Sequence, residues 1–160
     1  MHAELWNSDE AWRKAKEGSV LYRTNGVIVL RFNKSSSPGL NDWSRPAFTT
    51  LYEAQGIILD VMRAIPGEHL GKVIISRMKP GDIIDWHIDP WPMVGIAPYF
   101  QRYQIPLSVS PGVRFVVEDE EVCMEPGTAW WFNNQKRHAV FNESGEDRIS
   151  MYADIRPLTL

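Results

Sequence analysis

The feature that most constrains the fold is a long series of short strand-like segments in the second part of the chain. Eight of them follow one another: KVIISRM, GDIIDWHI, RYQIPLSV, VRFVVED, EVCMEP, TAWWFNN, HAVFNE and RISMYADI. Turn-forming pairs separate them, of which the clearest are Pro80-Gly81, Pro111-Gly112, Pro126-Gly127 and Ser144-Gly145. Short strands at regular spacing are typical of sandwiches and barrels. The series therefore predicts a mainly β protein built on a double-stranded β-helix, the cupin-like jelly roll.

The residues before this series predict helices and strands that flank the jelly roll. Ser8 begins a short predicted helix, and Asn25-Gly26 lies between two apolar runs in the pattern of a β-hairpin. Residues 48–65 predict a longer helix, with apolar residues along one face: Leu51, Ala54, Ile58, Val61 and Met62. A chain of 160 residues has the length of one domain. We therefore expect a single domain, in which residues 1–69 flank a core of residues 70–157 and the helices pack on one outer face.

The charge and composition of the chain argue against several classes of function. A formal net charge of −3 gives no basic field for bulk nucleic-acid binding. No apolar run reaches the roughly 18 residues of a membrane-spanning helix, and the first residues are too polar for a secretory signal. The single cysteine, Cys123, cannot form an internal disulfide and is expected to be a small buried apolar residue. These features predict a cytoplasmic protein that binds neither membranes nor bulk nucleic acid.

The stretch DWHIDPWP, residues 85–92, contains the first candidate metal ligands. His87 and Asp89 are two residues apart, so in an extended chain both side chains project from the same face. Strands that are distant in sequence lie side by side in a jelly roll, which would allow His138 to meet them. Two imidazoles and one carboxylate form the ligand set of non-haem Fe(II) oxygenases. Taken singly, each of these residues has a simpler interpretation, as part of a polar loop or as a histidine at a strand end.

Arg148 is the candidate partner for an anionic ligand. A guanidinium is permanently charged, and its planar fork matches a carboxylate. The turn at Ser144-Gly145 predicts that Arg148 lies on a strand that returns alongside His138. An arginine considered alone is more often a solvated charge or part of a structural ion pair. The interpretation of Arg148 therefore depends on the neighbouring metal ligands.

Taken together, these residues resemble a known family. The pattern His87-x-Asp89, His138 and then Arg148 resembles the Fe(II)/2-oxoglutarate-dependent oxygenase superfamily. The segments RYQIPLSV, AWWFNNQKRHAVFN and DRISMYADIRP are similar to its aspartyl/asparaginyl β-hydroxylase branch, and the resemblance covers roughly residues 70–157. It implies that the two histidines and Asp89 bind Fe(II), and that Arg148 binds the C5 carboxylate of the cosubstrate 2-oxoglutarate. It also implies cosubstrate contacts for three further residues, Ser76, Arg102 and Gln104.

The chain departs from the branch at two positions. The branch often has a histidine where this chain has Gln104. Its well-known animal members lack the carboxylate that Asp89 supplies and use only two histidines. A complete set of two histidines and one carboxylate is therefore expected here.

The resemblance implies an enzyme that uses Fe(II), 2-oxoglutarate and O2 to hydroxylate a C–H bond. Its substrate would be an amino-acid side chain, free or within a peptide or protein, or a small metabolite. Trp91, in the loop of residues 90–100, is a candidate wall of the substrate pocket. Asn133 and Asn134 before His138 predict a turn, with hydrogen-bond donation to the metal ligands as the alternative. One alternative is a metal-binding, cupin-like isomerase or ligand-binding module without 2-oxoglutarate chemistry. Another is a jelly-roll interaction domain without a metal.

Overall fold

Two antiparallel β-sheets and two helices form the part of the chain that the computed structural model describes, which is residues 26–32, 43–44, 46–89 and 100–158. The elements are β1 (Gly26–Phe32), β2 (Trp43–Ser44), α1 (Pro46–Thr50), α2 (Tyr52–Ala64), β3 (Gly67–Met78), β4 (Ile83–His87), β5 (Gln101–Ser108), β6 (Val113–Val117), β7 (Glu120–Val122), β8 (Trp130–Trp131), β9 (His138–Asn142) and β10 (Arg148–Pro157). The larger sheet has the order β2-β1-β3-β10-β5-β8, and the smaller sheet has the order β4-β9-β6-β7. Residues of both sheets line one cavity. The predicted class, a jelly roll with flanking helices, is confirmed.

All eight predicted strands are present, as β3 to β10. Turns or bends occupy the four predicted breaks between them. At Gly112 the backbone has a φ of 97°, and an added Cβ would lie 3.1 Å from the backbone nitrogen of Ser144, so the turn requires glycine. Cys123 directly follows β7 and is exposed, so the expectation that it is buried is wrong.

The helix predicted over residues 48–65 is interrupted at Leu51. This residue has φ −93° and ψ 76°, outside the helical region, and it separates α1 from α2. Its side chain is 1% exposed and belongs to the apolar core between α2 and the larger sheet. The predicted apolar face is present, because Leu51, Ala54, Ile58 and Val61 are all buried. Neither described helix is long and apolar enough to cross a lipid bilayer.

Part of the prediction for the first 69 residues lies outside the described residues. The predicted helix after Ser8 and the predicted strand before Asn25 are in that part. The second strand of the predicted hairpin is β1. β1 pairs with β3 and so extends the larger sheet. The organisation as a single domain stays a prediction.

Alternation of side chains along the strands gives the larger sheet two different faces. In β10, every second residue packs in the apolar core with α2: Ile149, Met151, Ala153 and Ile155. The residues between them are buried and mostly polar: Arg148, Ser150, Tyr152 and Asp154. Ser76 on β3 is the cross-strand partner of Ser150, and Arg102 on β5 is that of Asp154. The polar residues of three neighbouring strands therefore share the face that lines the cavity.

The connection between β9 and β10 passes from one sheet to the other. β9 belongs to the smaller sheet, whereas β10 lies between β3 and β5 in the larger one. The prediction that Arg148 lies on a strand alongside His138 is therefore wrong, although both residues line the cavity. A hairpin turn and an arch between two sheets have similar turn residues, so the local sequence did not distinguish them.

The buried side chain of Asn142 holds this arch. Its Nδ2 donates to the carbonyl oxygens of Met78 at 3.0 Å and Glu146 at 2.8 Å. Its Oδ1 accepts from the backbone nitrogen of Ser144 at 3.2 Å and from the Ser144 hydroxyl at 2.6 Å. These four contacts tie the end of β3 and the turn residues to the end of β9.

We expect the substitution Asn142→Ala to lower the free energy of unfolding by about 2–4 kcal/mol, because buried donors and acceptors lose their partner. Urea unfolding followed by tryptophan fluorescence measures this difference. Asn133→Ala is the matched control, since the side chain of the exposed Asn133 accepts one hydrogen bond, from the backbone nitrogen of Gln135. Its expected loss is under about 1 kcal/mol. Equal losses in the two variants would contradict a special role for Asn142 in the arch.

Candidate metal and cosubstrate site

A cavity of about 310 Å³ lies between the two sheets. Its lining includes seven candidate residues: Ser76, His87, Asp89, Arg102, Gln104, His138 and Arg148. The structure thus brings together the site residues that the sequence suggested, with the exception of Trp91, which lies outside the described residues.

The candidate metal ligands meet at one end of β4 and β9. These strands are antiparallel neighbours, and His87 is directly opposite His138, with ring centroids 4.2 Å apart. Oδ1 of Asp89 lies 3.6 Å from Nε2 of His87 and 4.0 Å from Nε2 of His138. One potential ligand atom from each residue lies within 4.8 Å of the others. Three donor atoms from two separate segments therefore converge on one small volume.

A backbone contact orients each imidazole in the same way. Nδ1 of His87 lies 2.7 Å from the carbonyl oxygen of Asp85, and Nδ1 of His138 lies 2.9 Å from that of Lys136. A carbonyl oxygen can only accept, so each Nδ1 carries a proton and donates it. In the neutral ring the lone pair is then on Nε2, which is free to bind a metal.

The two carboxylate oxygens of Asp89 have different surroundings. Oδ1 faces the imidazoles, whereas Oδ2 accepts hydrogen bonds from Nη1 of Arg102 and, at 3.0 Å, from Nδ2 of Asn134. Arg102 also donates from Nε and Nη2 to both carboxylate oxygens of Asp154, at 2.7 and 2.9 Å. One oxygen of Asp89 is therefore fixed by hydrogen bonds, and the other is available to a ligand.

The charges of the site keep Asp89 ionised and affect the two histidines differently. Burial acts to raise the pKa of Asp89, but His87, Arg102 and His138 outweigh it and hold this pKa well below its usual range. Interaction with the Asp89 carboxylate raises the pKa of His87. Burial lowers the pKa of His138. The negative charge of Asp89 at neutral pH makes the cluster attractive to a cation.

Arg148 supplies a buried positive charge to the same cavity. It is 3% exposed, and burial lowers the pKa of its guanidinium to about 10, so it is charged at neutral pH. Nη1 contacts the sulfur of Met78 at 3.6 Å. Within the described part of the chain, no carboxylate forms an ion pair with Arg148. Because an isolated buried charge is unfavourable, this arrangement favours an anionic ligand.

Ser76 and Gln104 belong to a hydrogen-bonded group around Ser150. Gln104 donates from Nε2 to the Ser150 hydroxyl, which donates to the carbonyl oxygen of Ile105 at 3.2 Å. The Ser76 hydroxyl donates to the carbonyl oxygen of Ser150 at 3.4 Å. The cosubstrate contacts expected of Ser76, Gln104 and Arg102 stay predictions. All three side chains line the cavity, and the bonds of Arg102 described above use three of its five N–H groups.

Two further polar residues belong to the site. Asn134 lies in the predicted turn and also donates to the Asp89 carboxylate, so both interpretations of this residue are confirmed. Asp154 was not identified from the sequence. It is buried in a largely apolar strand, and a buried acid is a signal of a fixed ion pair because such residues are rarely buried unless paired.

Apolar and aromatic side chains form the rest of the wall near the histidines. Phe115 and Phe132 have ring centroids 6.3 and 5.1 Å from that of His138, and Ile84 and Val140 also line the cavity. Such surroundings lower the local dielectric constant and strengthen electrostatic interactions. The sequence did not distinguish these residues, because an inward-facing apolar residue gives the same strand pattern in a core and in a site.

The donor set fits a divalent transition metal. Neighbouring ligand atoms at roughly 2.1 Å from an octahedral ion are about 3 Å apart. Oδ1 of Asp89 lies 3.6 and 4.0 Å from the two imidazole Nε2 atoms, so small side-chain movements would bring the three atoms to that spacing. The outer atoms of all three side chains are already hydrogen-bonded, as is usual for metal ligands. Two imidazoles and one carboxylate are the donor set of non-haem Fe(II) oxygenases, and some catalytic zinc sites use the same donors.

Comparisons with known proteins give a family and a fold. No curated protein matches the sequence. An oxidoreductase of the 2OG-Fe(II) oxygenase family from Burkholderia pseudomallei has a TM-score of 0.60 and 18% identity, over 84% of this chain and 69% of that one. A viral collagen prolyl hydroxylase from Paramecium Bursaria Chlorella virus-1, solved as a 2OG complex, has a TM-score of 0.50 and 14% identity, over 88% of this chain and 83% of that one.

These structural similarities, at such low identity, establish the fold alone. The sequence itself matches the family described as aspartyl/asparaginyl beta-hydroxylase over residues 46–157. This match covers more than half of the chain and includes all the candidate ligands. The chain therefore belongs to the aspartyl/asparaginyl β-hydroxylase family.

Proposed function

We propose that this protein is a dioxygenase that uses Fe(II), 2-oxoglutarate and O2 to hydroxylate a C–H bond of its substrate. The observation that carries the proposal is a His–Asp–His donor set in the same cavity as a buried arginine. The donor set suits the metal, and the arginine suits the anionic cosubstrate. Membership of the hydroxylase family supports the same chemistry.

His87, Asp89 and His138 would hold the iron through Nε2, Oδ1 and Nε2. When bound, ferrous iron supplies the oxidising chemistry, in which O2 and 2-oxoglutarate are consumed, succinate and carbon dioxide are released and a hydroxyl group reaches the substrate. The Nδ1–H donors of both rings stay on backbone carbonyl oxygens, which holds the rings in the binding tautomer. Three protein donors leave other coordination positions to small ligands.

Arg148 would bind the distal carboxylate of 2-oxoglutarate. The guanidinium fork can donate two parallel hydrogen bonds to one carboxylate. Because the arginine is buried, binding converts an isolated charge into an ion pair in surroundings of low dielectric constant. Ser76 and Gln104 line the same cavity. The second N–H of Gln104 Nε2 would donate to the cosubstrate, and the Ser76 hydroxyl would donate to it after turning away from the Ser150 carbonyl oxygen.

The apolar part of the wall would exclude water from the reacting carbon. Phe115 and Phe132 stand beside the His138 ring and line the cavity. Exclusion of water limits side reactions of a strong oxidant.

The proposed substrate is an amino-acid side chain, either free or within a peptide or protein, or a small metabolite. Family membership favours the amino-acid side chain. Trp91, outside the described residues, is proposed as a wall of the substrate pocket because it follows Asp89 by two residues.

Cosubstrate turnover tests the proposed function. The protein is incubated with Fe(II), ascorbate, 2-oxoglutarate and a panel of peptides, amino acids and small metabolites, and succinate is quantified by mass spectrometry. We expect succinate in equal amount to a product that has gained one oxygen atom. Samples with a chelator in place of Fe(II) are the control. A cupin-like isomerase or binding module would take up metal without consuming 2-oxoglutarate, and an interaction domain would bind no metal, so either result would contradict the proposal.

A further inference from the structure

Arg102 connects the candidate metal ligand of one sheet to a second carboxylate of the other. Asp89 follows β4 in the smaller sheet, whereas Arg102 on β5 and Asp154 on β10 are cross-strand partners in the larger sheet. Nη1 of Arg102 donates to Oδ2 of Asp89, and Nε and Nη2 donate to the two oxygens of Asp154. All three side chains are at most 10% exposed. One guanidinium thus links a buried acid next to the smaller sheet to a buried acid in the larger sheet.

We propose that Arg102 and Asp154 are positioning residues for the metal, and that together they hold Asp89 with Oδ1 directed at the two imidazoles. The inference rests on the proposed iron site. It gives Arg102 a role in metal binding that precedes any contact with the cosubstrate.

Asp89 needs such support because it lies beyond the end of β4. Its backbone nitrogen donates to the carbonyl oxygen of Asn134 at 3.0 Å, which fixes the main chain but leaves the carboxylate free to rotate. Hydrogen bonds to Oδ2 from Arg102 and from the Asn134 side chain stop that rotation. The metal-facing orientation of Oδ1 is therefore set by the partners of the opposite oxygen.

Asp154 is needed because an arginine paired with Asp89 alone would compete with the metal for the Asp89 carboxylate. A guanidinium paired only with Asp89 would hold that carboxylate as a two-oxygen partner. Asp154 occupies Nε and Nη2 instead, which leaves Nη1 for one oxygen of Asp89. The ring of Tyr152 lies 4.5 Å from the guanidinium carbon and limits its tilt. Two carboxylates around one cation also leave a net negative charge for a divalent ion.

Metal binding without 2-oxoglutarate tests the inference. Co(II) is titrated into the metal-free protein, and its Kd is measured by calorimetry and by the visible absorbance of the bound ion. We expect Asp154→Asn to raise the Kd at least about tenfold, the usual effect of removing the partner of a metal ligand. Glu143→Gln is the matched control, because it breaks an exposed two-bond pair with Arg114 at 3.0 and 3.1 Å and changes the net charge equally. Its Kd should stay within about twofold of the unsubstituted protein.

Arg102→Lys separates positioning from cosubstrate binding. Lysine keeps the charge but lacks the fork that holds two carboxylates at once. Positioning predicts a weaker Kd for Co(II) alone. If Arg102 only contacts the cosubstrate, the Kd for Co(II) alone stays unchanged. The substitution then alters only the 2-oxoglutarate concentration needed to perturb the Co(II) spectrum. This result would overturn the inference.

Two further measurements keep the test decisive. Asp154→Glu retains a carboxylate and should bind Co(II) more tightly than Asp154→Asn, and the reverse order would count against the inference. Thermal unfolding of each metal-free variant detects a purely structural role, which would lower stability and leave the Kd of the folded protein unchanged. If Asp154→Asn does not fold, Arg102→Lys carries the test. Failure of the unsubstituted protein to bind Co(II) would overturn the proposed function instead.

Discussion

Replacing His138 with alanine is expected to abolish tight Fe(II) binding and to lower succinate formation by at least roughly 1,000-fold. The substitution removes one of three converging donors and leaves His87 and Asp89 as a two-donor site, with Nε2 and Oδ1 3.6 Å apart. With one protein donor fewer, solvent occupies a further coordination position, and in this site the ion is held much less tightly. Anaerobic calorimetry with Fe(II) measures the binding loss, and quantification of succinate measures the loss of turnover.

His69→Ala is the matched control for this substitution. His69 is a partly exposed histidine on β3 that contacts Arg156 and Glu68 outside the cavity. Iron affinity and succinate formation should both be unchanged in this variant. We expect His87→Ala and Asp89→Ala to behave like His138→Ala. Full activity of Asp89→Ala would show that the carboxylate is not a metal ligand.

Arg148→Ala is expected to weaken 2-oxoglutarate binding by about 2–5 kcal/mol, a rise of roughly 30-fold or more in the concentration required for half-maximal turnover. The distal carboxylate of the cosubstrate would lose the buried arginine that is proposed to bind it. Arg148→Lys keeps a charge without the planar fork and should give an intermediate value. Calorimetric titration of 2-oxoglutarate into the Co(II)-loaded protein measures the effect directly, and the Kd for Co(II) itself should stay the same.

A stability measurement distinguishes a binding arginine from a structural one. Arg148 is charged, buried and without a carboxylate partner in the described residues, so replacing it with methionine removes an unfavourable charge. The ligand-free Arg148→Met protein should therefore unfold at the same temperature as the unsubstituted protein or at a higher one. A loss of more than about 2 kcal/mol would mean that the guanidinium stabilises the fold itself, since breaking a structural buried pair costs more than this.

Much of the fold was accessible from local sequence patterns. The eight strands were predicted because apolar alternation and Pro-Gly pairs act over a few residues. The same alternation explains why Arg148 and Ser150 share one face of β10 while Met151 and Ala153 face α2. The apolar face of α2 was predicted for the same reason, since residues three and four apart lie on one side of a helix.

Long-range packing decided the features that local patterns did not predict. The helix predicted as continuous breaks at Leu51, whose side chain packs in the apolar core with the larger sheet. The arch that carries the chain from β9 to β10 depends on Asn142, whose amide contacts Met78, 64 positions earlier. Neither contact leaves a mark in the residues immediately around it, because the partner is supplied by a different part of the chain.

The candidate site shows the same division between local chemistry and tertiary arrangement. By itself, the sequence determined which side chains could bind a metal and an anion, since imidazole, carboxylate and guanidinium chemistry belongs to the residue, and the two-residue spacing of His87 and Asp89 is local. Only the tertiary structure decided that His138 stands opposite His87 and that Arg102 holds Asp89 against Asp154, 52 positions away from that arginine. The physical reason is the separation along the chain over which each effect acts. Backbone geometry fixes the relative positions of residues a few places apart, whereas ion pairs between sheets form only after the chain has folded.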